Sequence, residues 1–150
     1  MKLSTKGRYG VKAMVDLAVN HDGKPVSIKS ISQRQNISEY YLEQLFAPLR
    51  RAEFIKSVRG AQGGYILNKE ARDITVLDIM DVLEGPIEVS DCLDSDDCDN
   101  IDYCATRTVW VKMKHSIDSV LGAITLQNIV DDYQNNKDSI QFISTGKGER

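Results

Sequence analysis

The chain has 150 residues, 41% hydrophobic and 27% charged, which suits one ordinary globular domain with or without an appendage. No stretch approaches the roughly 20 apolar residues that a membrane span needs, and the basic start "MKLSTKGRYG" has no apolar run behind it, so a soluble cytoplasmic protein without a leader is expected. The net charge of −3 conceals an asymmetry: residues 1–72 hold 13 Lys/Arg against 6 Asp/Glu, whereas residues 73–150 hold 6 against 16.

In chain order, "YGVKAMVDLAVN" (residues 9–20) sets Tyr9, Ala13 and Leu17, and Val11, Met14 and Ala18, at helical spacing, and "HDGKP" ends that helix. In "VSIKSISQRQN", Ser27 is placed to cap a short helix whose buried stripe is Ile28 and Ile31. A tight "NIS" connection follows. Ser38 then caps "EYYLEQLFAPLRRAEF", with Tyr41, Leu42, Leu45, Phe46 and Leu49 inward. Two short helices joined by such a turn make a helix-turn-helix. Pro48 costs about 3 kcal/mol and one backbone hydrogen bond, which predicts a kink or an early end near Ala47.

Phe54, Ile55 and Val58 read as a strand, "RGAQGG" as a turn and "YILN" as the returning strand. A hairpin directly after a helix-turn-helix is a winged helix. Thr75 caps a further helix over residues 75–85, with Val76, Ile79, Met80 and Leu83 on its apolar face. After a loop from Pro86 to Cys104, "ATRTVWVKMKHSIDSVLGAI" is a long helix. Its Trp110, Met113, Ile117, Val120 and Ile124 form an a/d seam suited to pairing with another helix, packing on its own domain being the alternative. "TLQNIVDDYQ" reads as a short last helix and residues 138–150 as a loose tail. The expected fold is mainly α with a small β-hairpin wing. A winged helix-turn-helix domain spans residues 1–85, a cysteine-containing loop 86–104, a dimerisation helix and C-terminal helix 105–137, and a flexible tail 138–150.

The net of +7 over residues 1–72 keeps nucleic acid open as a partner, because electrostatic footprints are local. A B-form major groove, roughly 12 Å wide, admits one helix. The start of the second helix of the pair would face base edges, with Ser38, Glu39, Tyr40, Glu43 and Gln44. Arg50, Arg51, Lys2, Lys6 and Arg8 are candidate phosphate contacts, and Arg59, beside the wing glycines, is placed for a minor groove. A solvated basic surface, or a protein-binding winged helix, are the plainer alternatives.

Every cysteine lies in "CLDSDDCDNIDYC", as C-x5-C-x5-C at Cys92, Cys98 and Cys104. An odd, clustered set of thiols in a cytoplasmic chain points to metal or redox chemistry before a disulfide framework. Thiolates select iron–sulfur clusters or zinc. Five-residue spacers exceed those of zinc knuckles. "DSDDCDNIDYCA" lacks the glycine and glutamate of an EF-hand. Three unliganded thiols in a solvated loop are the bland reading. No G-x-S-x-G, P-loop or H-E-x-x-H is present, so no enzyme is expected.

"KGRYGVKAM", "YLEQLFAPLR", "SVRGAQGGYIL" and the C-x5-C-x5-C loop together resemble the bacterial IscR-type transcription regulators, whose relatives include NsrR and CymR, from about Met1 to Tyr133. The resemblance implies a homodimeric repressor joined through the long helix and bound to palindromic double-stranded DNA. It further implies a 2Fe–2S cluster on Cys92, Cys98 and Cys104, delivered by the iron–sulfur assembly machinery, and control of the assembly genes. The "YLEQL" helix matches the recognition helix and Arg59 the wing arginine; CymR-like members lack this cysteine set. A nitric-oxide-sensing repressor of the NsrR kind is an alternative. A zinc-binding interaction module with no DNA role is a further one.

Three thiols leave a 2Fe–2S cluster one ligand short. The family pattern has a histidine three residues after the last cysteine; here Arg107 stands there, and a guanidinium has no lone pair to offer. Glu43 is the first candidate for the fourth ligand, an anion on a helix otherwise built to approach phosphate. A loop aspartate (94, 96, 97, 99 or 102) comes second. His115 is third, about 12 Å along the helix from Arg107 and expected to reach the loop poorly.

Overall fold

The structure, a computed structural model, describes residues 2–94 and 98–146, with backbone alone for 138–146. Helix α1 spans Thr5–Asn20, four residues earlier than the apolar spacing predicts. Ser4 is the reason: its hydroxyl accepts from the Gly7 backbone N–H at 3.0 Å and caps the helix. Residues 5–8 contribute no apolar side chain, so periodicity alone cannot see them. Gly10 lies where a Cβ would run into the Leu83 side chain, which lets α1 pack tightly on α4 (Val76–Glu84).

Helices α2 (Ile28–Gln35) and α3 (Glu39–Arg51) form the helix-turn-helix, each opened by the predicted serine. Ser27 accepts from Ser30 N–H and Ser38 from Tyr41 N–H, both at 3.1 Å. Between them Asn36 takes a left-handed conformation (φ 55°), which a short polar side chain tolerates. The expected break near Ala47 does not occur: α3 runs through Pro48 to Arg51. Buried Leu49 holds the last turn to the core, and the Ala52 N–H bonds to the Pro48 carbonyl at 3.0 Å. The helix then closes with Glu53 in the left-handed region (φ 65°). Its N–H bonds to the Arg50 carbonyl and the Phe54 N–H reaches the Leu49 carbonyl, a Schellman pattern.

The wing pairs β1 (Ile55–Val58) with β2 (Gly64–Leu67) antiparallel, Ile55 opposite Leu67 and Val58 opposite Gly64. Val26 adds an unforeseen third rung through two backbone bonds to Tyr65, at 2.8 and 2.9 Å. Gly64 is required there, since a Cβ would collide with the Val26 backbone. Ala13, Met14, Leu17, Ile31, Leu42, Leu45, Phe46, Leu49, Ile55, Ile74 and Ile79 are fully buried in one core. Each such large side chain contributes about 1.5–3 kcal/mol by leaving water. Asp16 is the one buried charge among the described residues, 4% exposed. It is answered by the Arg34 guanidinium at 2.8 Å and by the Gln35 and Asn20 amides, which braces α1 against α2.

Thr75 and Asp78 form a reciprocal capping box at the start of α4. Beyond α4 lie a single-turn helix α5 (Asp91–Asp94), the long α6 (Arg107–Ala123) and α7 (Leu126–Gly146). Two differences from expectation stand out. Leu126 and Val130, from the start of α7, are buried, and Leu126 belongs to the core of the winged domain, fastened by a bridge between Thr75 and Thr125. The backbone also stays helical to Gly146, well into residues 138–150 read as a tail. Between Leu126 and Thr145 no Gly or Pro interrupts the helix.

Candidate functional site

Helix α3 buries Leu42, Leu45, Phe46 and Leu49 and thereby turns Tyr40, Glu43 and Gln44 to solvent on its other side. Tyr40 is 72% exposed, an aromatic with no place in the core. Ser38 and Glu39 open the same helix and are exposed, but the Ser38 hydroxyl already accepts from Tyr41 N–H, so its first task is structural. Arg50 and Arg51 end the helix, and Arg59 follows β1; all three are exposed. Lys6 and Arg8 project from the first turns of α1, Arg8 lying 5.8 Å over the Tyr9 ring. Lys2 instead lines a cleft of about 310 Å³ with Glu84 and Glu88, so carboxylates neighbour it. Lys24, in the turn before α2, shares a cleft with Ser27, Ser30 and the wing residues Ala61, Gln62 and Gly63. Its only sequence signal was a cation in the turn "HDGKP".

The acidic segment is built by local contacts. Cys92 sits on α5, its Sγ 3.0 Å from the Ser90 hydroxyl. The Cys98 carbonyl accepts from Ile101 N–H at 3.2 Å. Cys104 lies just before α6, its Sγ 3.2 Å from the Thr106 hydroxyl. That hydroxyl, then the Arg107 and Thr106 backbone N–H groups, hold the Cys104 thiol below its ordinary range, and the Arg107 charge adds to this. All three cysteines are free and half-buried. The Lys114 ammonium fastens the preceding stretch to α6, donating to the Ile87 carbonyl at 3.2 Å and pairing with Asp118 at 3.1 Å.

His115, expected to reach the loop poorly on its distance from the Cys104 end, lines a cleft of about 260 Å³ with Leu93 of α5, which packs on α6. Among the loop aspartates, Asp94, Asp99 and Asp102 are exposed; Asp96 and Asp97 lie outside the described residues.

The donor set suits an iron–sulfur cluster in kind, because it offers reduced, half-buried sulfurs with one already biased to thiolate. In number it supplies three of four. Among the described residues no three His, Cys, Asp or Glu side chains gather as a metal site. Thiolates and aspartates repel one another and converge only on a positive centre. Glu43 rides on α3, which packs on α1, α2, α4 and β1, whereas α5 packs on α6.

Helix α6 buries no residue, and Val109, Trp110, Met113 and Val120 along it are exposed, Trp110 by 37%. No helix among the described residues is long and apolar enough to cross a membrane.

A helix-turn-helix with an exposed reading face, a wing tipped by arginine and a long unburied helix define a winged-helix transcription regulator rather than an enzyme. Comparison with known proteins carries this further. The model of the Rrf2 family, described as an iron-dependent transcriptional regulator, matches residues 3–132, and the chain belongs to that family. It is 42% identical to the regulator CymR of Bacillus subtilis (strain 168) over 95% of this chain and 99% of that protein. It is also 42% identical to IscR of Vibrio atlanticus (strain LGP32), over 88% of this chain and 76% of that one. The solved structure of T. potens IscR superposes with a TM-score of 0.74 at 52% identity, covering 89% of this chain and 88% of that one. Membership of a family of transcription regulators replaces the reading as an interaction module without a DNA role.

Proposed function

We propose that this regulator is a homodimeric repressor that senses iron–sulfur cluster status through a 2Fe–2S cluster and controls genes of cluster assembly. Three unbridged, half-buried thiols on one segment, whose helix α5 packs on α6, are the observation that carries this reading. Cys92, Cys98 and Cys104 would hold the cluster, which supplies a centre whose presence tracks the cell's supply. Glu43 is the leading fourth ligand. Among the described residues of one chain α3 packs chiefly on α1, α2, α4 and β1, so its engagement calls for movement of the loop or for the second protomer.

What the protein's own residues do is clearer in charge terms. Glu43 faces solvent on the helix offered to DNA, where its carboxylate opposes phosphate unless it accepts from a cytosine amino group. Engaging that carboxylate elsewhere removes the opposition and ties loading to base reading. Tyr40, Gln44 and the backbone start of α3 address base edges; Arg50, Arg51, Lys6, Arg8 and Arg59 address phosphates and the minor groove. The exposed α6 face supports pairing of two copies, and a two-fold dimer calls for a palindromic operator.

Air-free purification with iron and sulfide counted tests the cofactor. Wild type should be coloured and hold both, E43A should lose most of its iron, and D102A and H115A should keep theirs. A colourless protein holding zinc would remove the cluster, and full retention in E43A would remove Glu43. Gel shifts on operator fragments should differ between loaded and cluster-free protein. R59A should weaken binding and lower the salt slope by about 1.

A further inference from the structure

The turn before α2 is seated on the wing. Gly23, at φ 87°, reverses the chain after α1, and Pro25 follows with its φ fixed by the ring. Val26 then exchanges two backbone hydrogen bonds with Tyr65 of β2, which ties the turn to the hairpin. Between the turn, the start of α2 and the wing tip lies a cleft of about 770 Å³, whose lining includes Lys24, Ser27, Ser30, Arg34 and Gln62. Among the described residues no carboxylate lines it, and Asp22, the acid nearest to Lys24 in sequence, lies outside it. Two cations do line it. The Arg34 guanidinium is already answered by Asp16 at 2.8 Å. Lys24 is exposed and makes no hydrogen bond or ion pair among the described residues. The cleft therefore carries one uncompensated positive charge among hydroxyl and amide groups. Arg59, also exposed, precedes the wing residue Ala61 of this cleft by two positions.

We infer that Lys24 is a phosphate-binding residue: its ammonium holds the DNA backbone at the cleft between the turn before α2 and the wing. The inference rests on the DNA reading above and deepens it with a contact that belongs neither to α3 nor to the wing arginine. In a helix-turn-helix the first helix crosses the DNA backbone, and α2 is that helix here. A cleft with a free ammonium and no carboxylate suits an oxyanion. Because the turn is tied to β2, the base of the lysine stem is already in place when the wing meets DNA, and little order has to be gained on binding. An ammonium is a compact point charge on a flexible stem, without the planar fork that reads a base edge. Lys24 therefore adds affinity on any sequence and leaves the choice of sequence to α3.

The test uses full-length protein purified without air, both as isolated and after iron removal. Wild type first selects duplexes from a random-sequence pool. Fluorescence anisotropy then follows wild type, K24Q and K24R on a selected duplex and on a scrambled duplex of equal length, across a salt series. Each phosphate contact contributes about 0.9 to the slope of log affinity against log salt. K24Q should lower that slope by about 0.9 for each protomer bound and weaken both duplexes by the same factor, while K24R should match wild type. The thermal midpoint of K24Q should equal that of wild type, since the side chain holds nothing in the fold. An unchanged slope in K24Q overturns the role of Lys24 and leaves DNA binding in place. So does a loss confined to the selected duplex, or a loss in K24R as large as in K24Q. Wild type that retains no duplex in either state overturns the DNA reading itself, and the selection step tells that failure from the others.

Discussion

In the winged head, each of the helices α1 to α4 buries at least one side chain, and Phe46 meets Tyr65 edge to face at 5.0 Å inside a continuous core. In the cysteine-bearing arm, α5 and α6 bury none. The head is held by burial that the chain provides for itself. The arm is held by polar fastenings, Lys114 to Ile87 and Asp118 foremost, and by α6 packing on α4, while Val109, Trp110, Met113 and Val120 face outward. A segment that buries so little in one copy can be reordered by a ligand or a second copy at small cost.

The sharpest way to break this contrast is to cut each region once. F46A should cost about 3–5 kcal/mol in urea unfolding, whereas Y103A, at a residue 91% exposed, should fall within about 0.5 kcal/mol of wild type. Comparable losses in the two variants would mean that the arm is as consolidated as the head. Next, W110A should weaken self-association by about 2 kcal/mol, roughly 30-fold, read by sedimentation, while the Cα framework of the head keeps its far-UV spectrum. A dimer indifferent to Trp110 would move the interface off α6. S38A should cost about 1 kcal/mol and fray the start of α3, seen as faster amide exchange at Tyr41. The smallest effect is chemical. In cluster-free protein, T106V removes the hydroxyl that favours the Cys104 thiolate, so the thiol moves back up towards its ordinary range. The pH midpoint of Cys104 alkylation should rise, and alkylation at neutral pH should slow. An unmoved midpoint would show that the backbone N–H groups and Arg107 suffice.

Much of the head was legible because its signals are local. Ser27, Ser38 and Thr75 cap the helices they were expected to cap, and the stripe Leu42, Leu45, Phe46 and Leu49 is buried as its spacing requires. Ser4 was passed over because the residues after it are polar or glycine. Pro48 misled for a different reason: the loss of one hydrogen bond is a local quantity, and burial of Leu49 one residue later outweighs it. At the cysteine segment, residue types were readable and geometry was not. The spacing C-x5-C-x5-C says nothing about which end folds back, and so the cleft that Leu93 shares with Arg107 and His115 went unseen.

Taken alone, the sequence determined the winged-helix class, the caps of α2, α3 and α4 and the solvent-facing side of α3, since each depends on residue type and on contacts within one turn or hairpin. Only the tertiary structure decided that α7 lends Leu126 to the head, that Val26 joins the wing, and that Arg107 and Leu93 line one cleft. Those outcomes pair residues far apart in the chain, and they are settled by which buried surfaces fit together rather than by any local pattern.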